Sequence, residues 1–424
     1  MVASLYLTSA EGRSGKSAVA LGVLDALLAD GSRVGVFRPL IRGGGERDRV
    51  LELLRSRATA DVPYEACIGV GYEEARDDPE EALARIVGAY EALKARCDWV
   101  VVVGSDFTDV AVPTELAFNA RIAANLDAPV LLIVGGRLHD GSETLGQSTP
   151  RSAHEIAQVA EMGADELAAA HAPVLAVIVN RADPEALDGI VAEVGAALPA
   201  DTPVWALPEE VTLVAPPLAS VAEAVAGTLT RGDAALLDRE VRQMVIAGMS
   251  MENVLPRLLE GSAVVIAADR AETLLAVTMA HEAPTFPSLA GVVLNGAFEL
   301  SPDIERLLDG IGSPLPVIRT ELGTFDTAQR MIRSRGVLSA DYPERIGTAL
   351  RLFGEHVDTA VLRERTSAHP GGVRTPIRFA YELRTRAALT GARIVLPESD
   401  DERVLRAADT VLRRGIAKIT LLGD

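Results

Sequence analysis

The residues whose types and spacing point most directly to chemistry are Gly15-Lys16-Ser17. They follow a short β-rich run, Ser4 to Thr8, and precede Val19, Val23, Leu24, Leu27 and Leu28, whose spacing is helical. Glycine lets a loop turn tightly enough for backbone N–H groups to face one anion at a helix N-terminus. The lysine adds a point charge, and a serine hydroxyl can reach Mg²⁺. The chemistry so encoded is phosphate binding, with Gly12, Gly15, Lys16 and Ser17 as contacts and Ser17 as the candidate metal ligand. A full phosphate-loop pattern has glycine five positions before Gly15; here that position is Ala10, with Gly12 inside the loop. Lys16 is expected to be exposed on its loop, so that Lys16→Ala would weaken binding without unfolding the chain. Nucleotide chemistry in such a setting also needs a carboxylate at the end of a buried strand. Trp99 to Val103 has the β-branched composition of that strand, yet it runs into Gly104-Ser105-Asp106. Asp106 reads either as a displaced metal partner or as a turn residue. Without an acid at Val103, binding without hydrolysis is the expectation.

Other candidates are weaker. Asp269-Arg270-Ala271-Glu272 follows the strand-like Ala263 to Ala268, and Asp269 is either a ligand contact or the cap of a capping box completed by Glu272. Ser399-Asp400-Asp401-Glu402 fits the same capping pattern. The six histidines, among them His139, His154 and His281, show no two-His metal spacing on one helix. Cys67 and Cys97 match no metal-ligand spacing, and a reduced cytoplasmic setting fits them better than a disulfide framework. Met1 to Leu7 has no basic region or long apolar core, so no signal peptide is expected. The apolar runs are too short to span a membrane. A net charge of −19 repels phosphate backbones, which argues against nucleic acid as a partner while leaving room for a local anion site.

The elements that would position the loop are those of an α/β protein. In a chain of 424 residues, 48% are hydrophobic but only 4% aromatic, a balance that suits aliphatic strands and Ala-rich helices. Strands are expected at Ser4 to Thr8, Arg33 to Phe37, Trp99 to Val103, Val130 to Val134, Val174 to Val179 and Val204 to Leu207. Helical stretches, Lys16 to Leu28, Glu115 to Asn125 and Ser152 to Ala170, alternate with them and predict a parallel sheet covered on both faces. Ala215-Pro216-Pro217 marks a boundary. Beyond it, Leu218 to Ala226 and Ala235 to Ile246 read as helical, and Ala263 to Ala268, Ala290 to Leu294 and Leu315 to Ile318 as strands. Leu175 to Asn180 and Leu289 to Asn295 each lead through a helix into a Pro-Val strand, either a remote repeat or shared α/β grammar. Thr366 to Pro376 reads as a linker, followed by strand, helix and strand at Ala392 to Leu396, Asp401 to Arg414 and Ala417 to Leu422. One βαβ unit of that size cannot bury a sufficient core by itself.

Taken in order, these pieces resemble the long-form bacterial phosphate acetyltransferases. The resemblance rests on Gly15-Lys16-Ser17 through Val34-Gly35-Val36-Phe37-Arg38-Pro39, on Gly104-Ser105-Asp106-Phe107-Thr108 with Glu115 to Asn125, and on Ala206-Leu207-Pro208-Glu209. It continues in Thr375-Pro376, Phe379, Tyr381-Glu382-Leu383, Arg393 to Glu398, Asp401, Arg403-Val404 and Ala407-Ala408. It implies a dethiobiotin synthetase-like, P-loop NTPase-like parallel-sheet domain over 1–216. A smaller α/β middle regulatory domain follows over 217–365, of the kind named for an Asp-Arg-Thr-Gly-Gly signature, of which Asp269-Arg270 survives here. Residues 366–424 would hold a linker and the start of the catalytic domain, an incomplete βαβ unit. The family commonly has Val-Glu-Gly before Ser105, where this sequence has Val103-Gly104.

The resemblance implies reversible acetyl transfer between acetyl-CoA and phosphate, giving acetyl phosphate and CoA, by a cytoplasmic homo-oligomer. The family reaction requires no cofactor, and the family's catalytic residues lie beyond Gly423. This chain would carry the regulatory and assembly part, inactive by itself. An ATP-like nucleotide would sit at the loop, with Asn180 reading its base and Mg²⁺ at Ser17. The alternatives are an ATP-dependent dethiobiotin synthetase-like ligase and a non-catalytic nucleotide-sensing module.

Overall fold

The computed structural model describes residues 2–42, 47–105, 115–138, 143–336, 338–369, 371–372, 374–398 and 400–422. Asp106, Phe107, Thr108, His139, Pro370, Ser399 and Gly423, all named above, lie outside them.

The first unit is a seven-stranded parallel sheet in the order β3-β2-β4-β1-β5-β6-β7. Its strands are β1 (Ala3–Ser9), β2 (Val34–Ile41), β3 (Ile68–Gly71), β4 (Trp99–Val103), β5 (Val130–Gly135), β6 (Val174–Ala182) and β7 (Val204–Pro208). The central strands β4 and β5 are buried along their whole length, which follows from helices on both faces. Register aligns Leu7 with Val103 on one side and with Leu131 on the other, so the ends of β1 and β4 open together at the phosphate-loop candidate. That opening lies at the carboxyl ends of parallel strands, where open α/β sheets bind ligands.

The second unit is a five-stranded sheet, β8-β12-β11-β10-β9, with β8 (Thr228–Arg231), β9 (Gln243–Ile246), β10 (Ser262–Ala267), β11 (Gly291–Asn295) and β12 (Val317–Arg319). Only β8 runs antiparallel. One face packs Val264, Ile266, Leu274 and Val277. The other packs Val221, Val265, Val293 and Met331, together with Leu145 from the first unit. The expected helix over Ala235 to Ile246 is only partly there. Ala234–Asp238 is a 3₁₀ turn, and Gln243–Ile246 is edge strand β9. Four residues carry too little periodicity to tell a strand from a helix, and pairing with β10 decides it.

Helices Pro343–His356 and Thr359–Ala368 lie mostly before the expected division at 365, yet they pack back on the first unit. Ala349, Phe353, Val357 and Leu362 join its core. The Phe353 ring lies against Gly22 of helix Lys16–Leu28, where any Cβ would collide with it. The chain therefore leaves the seven-stranded unit, forms the five-stranded one and returns to cover the helix that carries the phosphate loop.

At the other end, β13 (Arg393–Leu396) and β14 (Lys418–Leu421) form a two-stranded parallel sheet flanked by helix Glu402–Arg413. Ile394, Val395, Leu421 and Leu422 are 42 to 53% exposed, so the apolar strands lack cover. Helix Pro376–Thr390, ahead of it, rests on the first unit through Ile377 and Tyr381.

Candidate functional site

The helix Lys16–Leu28 begins at Gly15, whose φ of 74° is left-handed and whose missing Cβ leaves room for Asn180 Nδ2. Asn180, near the end of β6, donates that amide to the Ser14 carbonyl at 2.7 Å. Asn180, the residue expected to read a base, thus ties the phosphate loop with one amide hydrogen bond and also lines the cavity over that loop. Asn295 ends β11 in the matching position of the second unit, but its Nδ2 donates to Thr324 Oγ1 at 2.9 Å. The two asparagines share a place in the strand–helix–strand pattern and differ in contact.

Lys16 is not the exposed loop lysine that its sequence position suggested. It is 3% exposed, and its Nζ donates to the Ser105 carbonyl at 2.9 Å. Arg38, at 4% exposure, donates Nη1 to the Val103 and Gly104 carbonyls at 3.2 and 2.7 Å and pairs through Nε with Asp48 at 3.1 Å. Three successive carbonyls at the end of β4 thus receive two buried cations where a metal-binding carboxylate would stand. The strand end is braced by Asn119, whose Oδ1 accepts from the Tyr6 hydroxyl at 2.7 Å and from the Ser105 N–H at 3.1 Å. Burial pushes the Tyr6 hydroxyl up, which keeps it a donor at neutral pH.

A cavity of about 270 Å³ opens over the loop. Gly15, Lys16, Ser17 and Asn180 line it; Gly12 is not among its lining residues. The apolar wall is built from Leu207 and Pro208 at the end of β7, Leu213 and Val214, and Leu338, Ala349 and Leu352. Cations from three further places face the same space: Arg13, Arg181 and Arg335. Each has a carboxylate partner. Glu143 Oε2 accepts from Arg13 at 2.8 Å and from Arg335 at 2.9 Å, and Glu143 Oε1 lies 3.7 Å from Arg181. Glu209 pairs with Arg181 at 2.7 Å and with Arg137 at 3.1 Å. Glu143, Arg181, Glu209 and Arg137 are buried, so removing a partner among them leaves a costly uncompensated charge, whereas the Arg13 side chain is 53% exposed. Sequence reasoning did not single out Arg38, Arg181, Glu209, Glu143 or Arg335 as site residues. Arg38-Pro39 and Pro208-Glu209 stood in the resembling stretches, and Arg181 directly follows Asn180; Glu143 and Arg335 carry no local signal.

Two capping readings change. The helix Ala271–Glu282 has Arg270 as its N-cap with no side-chain cap, so Asp269 closes no capping box. Glu272 instead pairs with the Arg270 Nε at 3.3 Å. A complete capping box occurs at Ser152 and Glu155. Asp401 caps the helix Glu402–Arg413 by accepting from the Arg403 N–H. Among the described residues no group of three or more His, Cys, Asp or Glu could hold a metal. Cys67 and Cys97 are free and buried, and no helix among the described residues is long and apolar enough to cross a membrane.

Comparison with known proteins finds three domain models along the chain. An AAA domain model matches residues 3–216, a DRTGG domain model 220–334, and a phosphate acetyl/butaryl transferase model 378–424. The phosphate acetyltransferase of Nitratidesulfovibrio vulgaris is 31% identical over 99% of this chain and 60% of its own length. That of Synechocystis sp. is 29% identical over 100% and 60%, and that of Escherichia coli 25% over 97% and 59%. The chain therefore spans about 60% of the length of these relatives. Among solved structures, the cell division ATPase MinD of Pyrococcus furiosus covers 50% of this chain and 86% of its own, at 15% identity and a TM-score of 0.32. A ParA family ATPase from Chlorobium tepidum covers 50% and 86%, at 13% identity and a TM-score of 0.30. Likenesses that low bear on nothing further.

Proposed function

Since the chain belongs to the long-form phosphate acetyltransferase family, with the AAA, DRTGG and phosphate acetyl/butaryl transferase domains in succession, we propose that it serves reversible acetyl transfer between acetyl-CoA and phosphate. The observation that carries this is whole-chain likeness to phosphate acetyltransferases across three domains in one order. CoA, acetyl-CoA, phosphate and acetyl phosphate are the partners of that reaction, in a cytoplasmic homo-oligomer. In the acetyl phosphate-consuming direction a CoA thiolate attacks the acetyl carbonyl, a base takes the thiol proton, and polar groups stabilise the developing charge.

Residues 1–424 supply no group to those roles in this reading; their part is regulation and assembly. The seven-stranded unit binds a phosphate-bearing ligand such as a nucleotide at Gly15, Lys16 and Ser17, without turnover. Two features support that part. The loop opens into a cavity faced by Lys16, Arg13, Arg181 and Arg335. The end of β4, Val103 to Ser105, offers carbonyls already engaged by Arg38 and Lys16. Mg²⁺, if it accompanies the ligand, has Ser17 to meet it.

The test joins two assays on the 424-residue chain. With acetyl-CoA and phosphate it is expected to release no CoA; turnover in the ordinary enzyme range of roughly 1–10³ s⁻¹ contradicts the regulatory assignment. Calorimetry with ATP is expected to show binding that Lys16→Met weakens, without ADP appearing. Because Lys16 is buried, methionine rather than alanine fills its volume and keeps the comparison one of charge. Equal ATP affinity in both proteins removes the loop from the reading.

A further inference from the structure

A tight turn joins two parts of the molecule that are distant in sequence. Thr144 and Gln147 exchange backbone hydrogen bonds at 2.9 and 3.0 Å. Between them, Leu145 and Gly146 both have left-handed φ, 51° and 81°. Two positive φ values are the signature of a two-residue primed turn, where glycine, asparagine and aspartate are preferred. A leucine stays there only because its surroundings hold it. Leu145 is fully buried in the core of the five-stranded unit, near Val221, Val241 and Met331, and its N–H donates to the Ile332 carbonyl at 3.0 Å.

The residue just before the turn reaches the opposite way. Glu143 has a side chain only 3% exposed, and it lines the phosphate-loop cavity. One of its oxygens, Oε2, joins Arg13 of the loop to Arg335, three residues past the end of helix Thr324–Ile332 in the five-stranded unit. Arg181 completes the cluster and also donates Nη2 to the Gly146 carbonyl at 2.6 Å. Close by, the Gly336 N–H donates to the Val214 carbonyl at 2.7 Å. One short segment therefore carries a carboxylate in the cavity at one end and an apolar anchor in the other unit's core.

We propose that Glu143 is a tethered counter-anion that stands among Arg13, Arg181 and Arg335 where a phosphate-bearing ligand would, and that ligand entry releases Arg335 and the Thr144–Gln147 turn. Occupancy of the loop is thereby coupled to the packing of the five-stranded unit. This rests on the reading of the loop as a phosphate site. A phosphate brought among these cations stands beside the buried Glu143 carboxylate, and the two anions repel each other. The ligand and the Glu143–Arg335 clasp thus exclude one another. Linkage then makes the effect reciprocal: what weakens the clasp strengthens ligand binding by the same factor.

The experiment uses the 424-residue chain and Glu143→Gln, which keeps shape and removes charge. ATP and inorganic pyrophosphate are the calorimetric probes, and hydrogen exchange is followed at the Leu145 amide. Glu143→Gln is expected to bind ATP more tightly by a factor within the usual coupling range, about 5–150-fold. In the unmodified chain ATP is expected to speed Leu145 exchange, whereas in Glu143→Gln that exchange is already fast and indifferent to ATP. Arg335→Gln opens the same clasp from its other side and is expected to give the same fast, indifferent exchange, which serves if Glu143→Gln does not fold. Pyrophosphate acting like ATP places the competition at the phosphate group. ATP bound by the unmodified chain with Leu145 exchange unchanged, or equal affinities for it and Glu143→Gln, overturns the coupling and leaves the site. Failure of both probes to bind either protein removes the phosphate site and the coupling together.

Discussion

Replacing Gly22 by alanine should destabilise the protein, although the same change in a free helix would stabilise it. Glycine in a helix interior costs about 1 kcal/mol relative to alanine. Here a Cβ at position 22 would come far closer to Phe353 Cγ than van der Waals contact allows, and Phe353 is 2% exposed. Overpacking of that kind costs roughly 1–3 kcal/mol, and collision with a buried ring belongs at the upper end. The net expectation is a loss of about 1–2 kcal/mol. Phe353→Ala alone removes a core ring and should cost about 3–5 kcal/mol. In that background the sign at position 22 reverses. The new methyl enters vacated space, gaining about 0.8 kcal/mol of burial beside the propensity term. The pair should therefore show a coupling of about 2–4 kcal/mol, well beyond the additivity of distant sites.

Urea titration followed by tryptophan fluorescence reads this out selectively. Both tryptophans, Trp99 and Trp205, lie in the seven-stranded sheet, on β4 and β7. If Gly22→Ala stabilises both backgrounds equally, helix Pro343–His356 does not cover the loop-bearing helix, and the reasoning about the returning chain fails.

Two further outcomes follow from burial and protonation. The amides of Ile394 to Leu396 should exchange far faster than those of Val100 to Val103, because Arg393–Leu396 has one partner strand and exposed side chains while Trp99–Val103 lies between two strands and is fully buried; equal protection would show that the terminal unit has a complete core. His281 Nδ1 accepts from the Leu289 N–H at 3.0 Å, and burial pulls its pKa below the ordinary 6.5. The neutral ring is the folded form, so its contribution is full above about pH 6.5 and is lost as pH falls from there through the depressed folded value. The protection factor at Leu289, the slowing of its exchange relative to a free amide at the same pH, should fall on acidification below that value, and His281→Gln should remove that dependence; a protection factor independent of pH in the parent chain contradicts this.

Much of the architecture was legible in the chain itself. The helix Lys16–Leu28 and the strand Trp99–Val103 sit where pattern puts them, because a long apolar stripe marks a helix and a run of β-branched residues favours a strand. The order of domains and the glycine before the lysine were equally local. What lay beyond the sequence was long-range. Gln243–Ile246 became a strand because β10 offered it an edge. Lys16 became buried because the end of β4 presents the Ser105 carbonyl beneath it. Asn180 was drawn under the loop, where Gly15 leaves no Cβ in its way. Glu143 and Arg335 are 192 positions apart and share one hydrogen bond. Residue type and spacing along a chain encode local conformation, since sterics and periodicity act over a few residues. The charges that meet in a cavity are set by how separate units pack, and only the tertiary structure decided which arginine faces which carboxylate.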